Sequence, residues 1–356
     1  MIFHRALLRE FANLAGAVFM PLFLISLTVR LIRLLGQAAG GKLPSDAVIA
    51  LLGFFALNAL PILLSLTLFI TILLTLTRSY RDSEMVIWFS SGLSVAAWIK
   101  PVLMFAGPVV VVIAALSLVI SPWAANKSEE YRVSIDSRDE VSRVSPGVFG
   151  ESTGKDRVYF VESVSGDALS VQNVFVNSMQ HRRPGIMMSR RGHVEISPVG
   201  DRFLVLENGR RYEGNPGEAD FRVMEFERYA TRIEAKEGEA PQVTQKSLST
   251  LALIQAPTPT NLGELVWRIG VPVSAVILAL LAIPMSFVNP RAGRSVNLLL
   301  ALLTYMVYSN LLSLSQARVV QGKLSFGTGW WLIHGVMIVV LVVLFARRMG
   351  VFRFRR

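Results

Sequence analysis

The stretch VIALLGFFALNALPILLSLTLFITILLTL, residues 48–76, has no charged residue and is long enough to cross a bilayer as one helix. The chain as a whole is 52% hydrophobic and 17% charged, with a mean hydropathy of +0.49, which departs from soluble globular proteins. Five further runs of roughly 20 apolar residues can also span. They are residues 11–35, 101–121, 266–288, 296–315 and 327–346. The sequence therefore predicts an α-helical integral membrane protein with six transmembrane helices.

The six runs divide the chain into three helices, an insert and three more helices. The predicted boundaries are 1–121 for the first three spans, 122–263 for the insert and 264–356 for the last three spans with a basic C-terminus. The insert has the size of one domain.

With six spans, the basic clusters between the apolar runs fall on one side of the membrane. The positive-inside rule makes that side cytoplasmic, so we expect both termini in the cytoplasm and the insert outside it. The same placement explains the net charge of +11 without a nucleic-acid partner. The basic residues concerned are Arg5, Arg9, Arg78, Arg81, Lys100, Arg291, Arg294, Arg347, Arg348, Arg353, Arg355 and Arg356.

Inside the insert, the pattern changes to an alternation of apolar and polar residues. Segments such as RVYFVESV (157–164), RFLVLENGRRYEG (202–214) and FRVMEFERYATRIE (221–234) have the period of strands. Turn-forming SGD, PVGD, ENG and NPG lie between or within such segments, and Asn208-Gly209 is predicted to be a hairpin turn. The pattern indicates an antiparallel β-sandwich or jelly roll.

Motifs for catalysis or cofactor binding are incomplete. GQAAGGKL (36–43) has Leu43 where a P-loop needs Ser or Thr, and GLSVA (92–96) lacks the last Gly of a nucleophile elbow. Ser94 in the latter is interpreted as a helix N-cap. The chain has no Cys, and its histidines are scattered too widely for a metal site. We therefore expect no catalytic residue, metal or cofactor in this chain. The histidines are His4, His181, His193 and His334.

Between the second and third spans, RDSEMVIWFSSGLS (81–94) is typical of a short amphipathic helix. Ser79 followed by Asp82 forms a capping pattern, and Gly92 is a stop signal. A cytoplasmic helix over about 79–92 is predicted.

One face of that helix carries Met85, Trp88 and Phe89, and its first turn carries Asp82 and Glu84. It could lie on the membrane surface, but such helices favour Lys and Arg on their polar face. The two acidic residues favour a protein groove lined with basic residues. A membrane subunit that lacks a nucleotide site and offers such a helix resembles the permease of an ABC transporter.

Two groups of polar residues lie within the spans. Arg30 and Arg33 share one face near the outer end of the first helix, where they either snorkel to lipid headgroups or bind a phosphorylated ligand. Thr67, Thr71 and Thr75 recur every fourth residue of the second span, where helix packing is favoured over a polar path.

The whole chain resembles the LptF/LptG family of lipopolysaccharide-export permeases. The order of three spans, a β-rich insert and three spans is the family's, RDSE followed by SSGLS is similar to its coupling-helix region, and LENGRRYEG is similar to a stretch of its outer domain. The resemblance implies residence in the bacterial inner membrane with a periplasmic β-jelly-roll insert.

The resemblance also implies partners and site residues. It implies a heterodimer of LptF with LptG, a cytoplasmic LptB ATPase dimer that binds ATP and Mg²⁺, LptC, and a periplasmic LptA bridge that receives lipopolysaccharide. Glu84 matches the acidic coupling-helix residue that meets the ATPase. Arg30, Arg33 and Lys323 match basic residues near the ligand's phosphates.

Two other functions remain open. One is an ABC permease that transmits force rather than lipid, although three spans on each side of the insert disfavour its usual four-span form. The other is a membrane receptor or scaffold whose outer β-domain senses a ligand, which predicts no ATPase partner.

Overall fold

The structure, a computed structural model, describes residues 2–40, 43–136, 147, 149–151, 157–164, 170–180, 183–196, 202–214, 217, 221–232, 244–287 and 294–349. Within these residues, six helices are long and apolar enough to cross a membrane. The predicted class, a six-span helical membrane protein with an antiparallel β insert, is confirmed. The chain forms two compact units: a bundle, Met1–Glu130 with Gln242–Arg356, and an insert domain, Tyr131–Pro241.

The bundle is built from the apolar helices and two short ones. Because successive spans run in opposite directions, the starts of α1 (Ile2–Ala39), α4 (Ile99–Ala115) and α8 (Arg294–Val320) lie on one side of the bundle, here called the terminal side. Their ends lie on the opposite side, here called the insert side because the chain leaves the bundle there to enter the insert. The helices are α1 (Ile2–Ala39), α2 (Ala47–Arg81), α3 (Glu84–Ser90), α4 (Ile99–Ala115), α5 (Ser121–Asp136), α6 (Thr250–Gln255), α7 (Pro259–Met285), α8 (Arg294–Val320) and α9 (Phe326–Arg348).

The third span is longer than predicted. A 3₁₀ turn (Val95–Trp98) leads into α4, and a π-helical turn (Leu116–Ile120) joins α4 to α5, so the helix continues past residue 121 to Asp136. The apolar composition ends near residue 121, but good helix formers follow, and Lys127 pairs with Glu130 one turn later at 2.6 Å. Composition therefore marks the membrane-embedded part and not the end of the helix.

The central helix of the bundle is α7, which packs against α2, α4, α8 and α9. Two glycines let α8 approach it closely: a Cβ on Gly263 would lie 2.3 Å from a methyl of Val320, and one on Gly270 would lie 2.7 Å from a methyl of Leu312. Helix α1 is peripheral, because its main contacts are with two helices, α2 and α4. It leaves a row of apolar side chains exposed. The exposed row is Met20, Leu24, Ile25, Val29, Ile32 and Leu35.

The described strands of the insert domain form one antiparallel sheet in sequential order. A small apolar cluster of Val171, Val174, Met187 and Leu206 lies on it. The predicted antiparallel domain is thus confirmed, and within the described residues it is a single meander rather than two facing sheets. The strands are β1 (Phe149–Glu151), β2 (Arg157–Val164), β3 (Ser170–Gln180), β4 (Arg183–Ile196), β5 (Arg202–Glu213) and β6 (Arg222–Arg232).

The predicted hairpin turn at Asn208-Gly209 is wrong, because both residues lie inside β5. Asn208 has a left-handed φ of 54°, which is the backbone property that usually marks such a turn. The strand continues past it: Glu207 pairs with Arg228 and Gly209 with Phe226. A Cβ on Gly209 would lie 2.5 Å from the carbonyl oxygen of Met188, so this position has no room for a side chain.

Candidate functional site

The short helix α3 begins later than predicted. The prediction that Ser79 is its N-cap is wrong, because Ser79 is buried inside α2, which continues to Arg81. The chain turns at Ser83, whose φ of 61° is left-handed, and α3 follows directly. The helix ends before Gly92, whose φ of 89° fits the predicted stop. Ser94 is the N-cap residue of the next 3₁₀ turn, as predicted, although its side chain makes no capping hydrogen bond.

The apolar residues of α3 point in two directions. Met85 is only 1% exposed and belongs to the bundle core, and Trp88 packs against the same core. Val86 and Ile87 are 65% and 69% exposed, and Phe89 is 36% exposed. Met85 and Trp88 therefore hold α3 on the bundle. The exposed surface, here called the α3 outer face, consists of Val86, Ile87 and Phe89.

This arrangement changes which apolar residues are available to a partner. Met85, Trp88 and Phe89 were expected to be the anchors, but Met85 is covered by the chain itself and Trp88 packs against the bundle core, so Phe89 is the one of the three on the exposed surface. The sequence does not single out Val86 and Ile87, because its periodicity groups Met85, Trp88 and Phe89 on one face and does not show which apolar face the bundle covers. Two adjacent β-branched residues beside an amphipathic face were the available signal.

The predicted acidic residues of this region surround Arg78, at the end of α2. Arg78 Nη1 lies 3.2 Å from Glu84 Oε1 and 3.3 Å from Asp82 Oδ2. Arg78 Nε and Nη2 donate to the two carboxylate oxygens of Glu10 on α1, at 2.6 and 2.8 Å. The carboxylates of Asp82 and Glu84 remain about 40% exposed, so each can still meet a cation of a partner.

The predicted lipid-binding residues lie on the insert side of the bundle. Arg30 is half-buried, with its guanidinium 5.2 Å from the centre of the Phe55 ring, and Arg33 is exposed one turn further along α1. Lys323 is exposed in the turn between α8 and α9. Arg30 and Arg33 lie together on α1, which packs mainly against α2 and α4. Lys323 lies in a turn between two other helices, α8 and α9, which both pack against α7.

A buried ion pair on α7 was not anticipated from the sequence. Arg268 Nε lies 3.0 Å from Glu264 Oε1, and their side chains are 2% and 9% exposed. The same guanidinium donates to Thr250 Oγ1 at 2.9 Å and to the backbone carbonyls of Gln245 and Lys246 at 3.0 and 3.2 Å. The i, i+4 spacing of Glu264 and Arg268 was a signal for the pair, but not for its burial.

The partners of Arg268 connect α7 to the third span. Thr250 donates through its hydroxyl to the carbonyl of Leu118, and Ser117 donates to the carbonyl of Arg268 at 2.9 Å. Both Ser117 and Leu118 belong to the π-helical turn, which departs from the regular α-helical hydrogen-bond pattern. Arg268 thus fixes the segment that leads into α6 against the third span.

The remaining polar candidates have structural contacts. Thr67, Thr71 and Thr75 are buried in the bundle, in agreement with a packing role. His334 Nδ1 lies 2.6 Å from the hydroxyl of buried Tyr308, and His193 is on the sheet beside Glu207. The side chains of His4 and His181 lie outside the described residues.

Comparison with known proteins agrees with this architecture. The family model described as lipopolysaccharide export system permease LptF/LptG matches residues 5–347. The lipopolysaccharide export system permease protein LptF of Escherichia coli K12 is 28% identical over 347 residues, which cover 97% of this chain and 94% of the relative. The proteins of the same name from Escherichia coli O157:H7 and Shigella flexneri match to the same extent. The family match spans both halves of the bundle and the insert, and the chain therefore belongs to the LptF/LptG family of lipopolysaccharide export system permeases.

Proposed function

We propose that this protein is the LptF-type subunit of an ABC transporter that extracts lipopolysaccharide from the inner membrane, and that ATP and Mg²⁺ are bound by a separate LptB-type ATPase. The observation that carries the proposal is the α3 outer face. Val86 and Ile87 are exposed there, next to the accessible carboxylates of Asp82 and Glu84. It lies on the side that the positive-inside rule assigns to the cytoplasm.

The α3 outer face has the composition of a docking surface. Apolar side chains exposed to water favour association, and the neighbouring carboxylates select a partner with basic residues. Behind it, buried Met85 and partly buried Trp88 keep α3 on the bundle, so a force applied to α3 reaches the spans. These features support an ATPase as the occupant rather than the surface of an anionic membrane.

The substrate is proposed from the chemistry of the insert side. Lipopolysaccharide is a phosphorylated amphiphile, and its carrier needs apolar surface at membrane depth and cations at the membrane surface. Helix α1 provides the apolar row described above, and Arg30 and Arg33 lie among the last residues of that row, toward the insert side. Guanidinium groups bind phosphate through paired, charge-assisted hydrogen bonds. An LptG-type subunit would supply the facing surface, so that the two subunits together enclose a cavity for the lipid.

The insert domain is proposed to receive the lipid in the periplasm. A groove of about 1030 Å³ lies on its sheet and is lined by Phe175, Met188 and Phe226 among other residues. This space is large enough for acyl chains, and charged residues such as Arg210 border it. Among the described strands, β1 and β6 are the sheet edges. A free edge can pair with a strand of LptC or of the LptA bridge.

Replacing Ile87 with Ala tests the proposal. Central apolar anchors commonly cost about 2 kcal/mol or more when truncated, so Ile87→Ala should reduce copurification of the ATPase and lipopolysaccharide export. The matched control is Leu251→Ala, since Leu251 has a similar exposure of 64% but lies on the insert side. Equal copurification of the ATPase with both variants would refute the docking role and favour a receptor or scaffold.

A further inference from the structure

Arg78 connects three helices on the terminal side. It lies in the last turn of α2, contacts Glu10 on α1 through two nitrogens, and contacts Glu84 on α3 through a third. Glu10 and Arg78 are 68 positions apart in the sequence, so this contact exists only in the folded bundle.

The contact between Arg78 and Glu10 has a well-defined geometry but contributes little to stability. The side chains of Arg78 and Glu10 are 38% and 32% exposed, and ion pairs with this exposure add little to the free energy of unfolding. A two-nitrogen contact between a guanidinium and a carboxylate nevertheless fixes the relative orientation of both groups. The pair is therefore better suited to hold α1 in a defined position than to stabilise the bundle.

The two helices joined by Arg78 have different surroundings. Helix α3 has only seven residues and is seated on the core by Met85 and Trp88. Helix α1 is peripheral and continuous from Ile2 to Ala39, through Pro21. A displacement of Glu10 can reach Arg30 along this helix, a distance of about 30 Å at 1.5 Å per residue.

We propose that Arg78 is a positioning residue that transmits movement of α3 to α1, and through α1 to Arg30 and Arg33. This inference rests on the proposed docking of an ATPase to α3. When the partner moves Glu84, the Arg78 guanidinium moves with it and carries Glu10. Without the contact between Arg78 and Glu10, the ATPase still docks, but α1 no longer follows α3.

Glu10 provides the cleanest test, because it lies on α1 and not on the docking helix. Three variants of the assembled transporter are compared: Glu10→Gln, Arg78→Gln and the control Arg81→Gln. Arg81 has nearly the same exposure as Arg78, 36% against 38%, and pairs with its neighbour Asp82 at 3.4 Å. The readouts are ATPase copurification, ATP hydrolysis, and lipopolysaccharide exported per ATP hydrolysed.

Glu10→Gln should keep copurification and ATP hydrolysis but lower export per ATP about 5-fold or more, the lower end of typical coupling between sites. Arg78→Gln should lower export per ATP at least as much, and Arg81→Gln should resemble the wild type. Any other result with Glu10→Gln overturns the proposal. In particular, loss of copurification would mean that the contact positions α3 for docking, and unchanged export per ATP would mean that it transmits nothing.

A distance measurement in this subunit keeps the two proposals separable. The chain has no cysteine, so spin labels can be attached at Arg9→Cys and Ser91→Cys, both exposed, without further changes. The distance distribution between α1 and the end of α3 should be narrow in wild type and in Arg81→Gln, and broader in Glu10→Gln. An equally narrow distribution in Glu10→Gln overturns the link itself, whether or not an ATPase binds to α3.

Discussion

Replacing Arg268 with Met should destabilise the bundle more than most single substitutions. The change leaves the carboxylate of Glu264 buried without its cation, and it removes the donors to Thr250 and to two backbone carbonyls. Breaking a buried pair from one side costs about 3–5 kcal/mol. At about 2–4 °C per kcal/mol for domains of some 200 residues, this cost lowers the unfolding midpoint by about 6–20 °C.

Thermal unfolding of the purified protein in detergent measures this midpoint, and a double-mutant cycle identifies its origin. Replacing both partners, Glu264→Leu with Arg268→Met, should recover most of the loss, because no buried charge is left uncompensated. Gln245 and Lys246 are exposed, so water can replace the lost donors to their carbonyls. The control is Arg318→Met, at an exposed position of α8. If Arg268→Met lowers the midpoint no more than this control, or if the double variant is the least stable, the buried-pair reasoning is refuted.

Two further predictions concern α1 and the α7–α8 contact. Changing both Arg30 and Arg33 to Glu should abolish crosslinking to lipopolysaccharide phosphates while the transporter still assembles. The control Arg318→Glu, on the same side, should leave crosslinking intact. Unchanged crosslinking in the double variant would favour snorkelling of the two arginines to lipid headgroups. Gly263→Ala should cost about 1–3 kcal/mol, measured as a lower unfolding midpoint, because the added Cβ meets backbone as well as side-chain atoms of α8. Gly16→Ala, which meets no atom within 4 Å, should be neutral or slightly stabilising, and equal effects of the two glycine changes would contradict the packing argument.

The sequence determined the class of protein and the order of its parts. A run such as residues 48–76 can be read locally, because about 20 apolar residues span a bilayer whatever their neighbours are. The strands of the insert can also be read from the local sequence, since successive side chains of a strand point to opposite faces of the sheet. The stop signal at Gly92, after α3, was also predictable, because Gly is favoured where φ is positive. The resemblance to the LptF/LptG family needed no tertiary contact either.

The tertiary structure decided which way side chains face and which distant groups meet. Met85 and Ile87 are both apolar and lie on one short helix, yet the packing of α3 on the bundle buries the first and leaves the second exposed. Asn208 carries the local signal of a turn, but its neighbours Glu207 and Gly209 pair with β4 and β6, and this pairing keeps Asn208 inside the strand. Arg78 meets Glu10 across 68 positions because α1 and α2 pack side by side. Local pattern depends on neighbours along the chain, whereas burial and ion pairing depend on neighbours in space, and only folding brings those together.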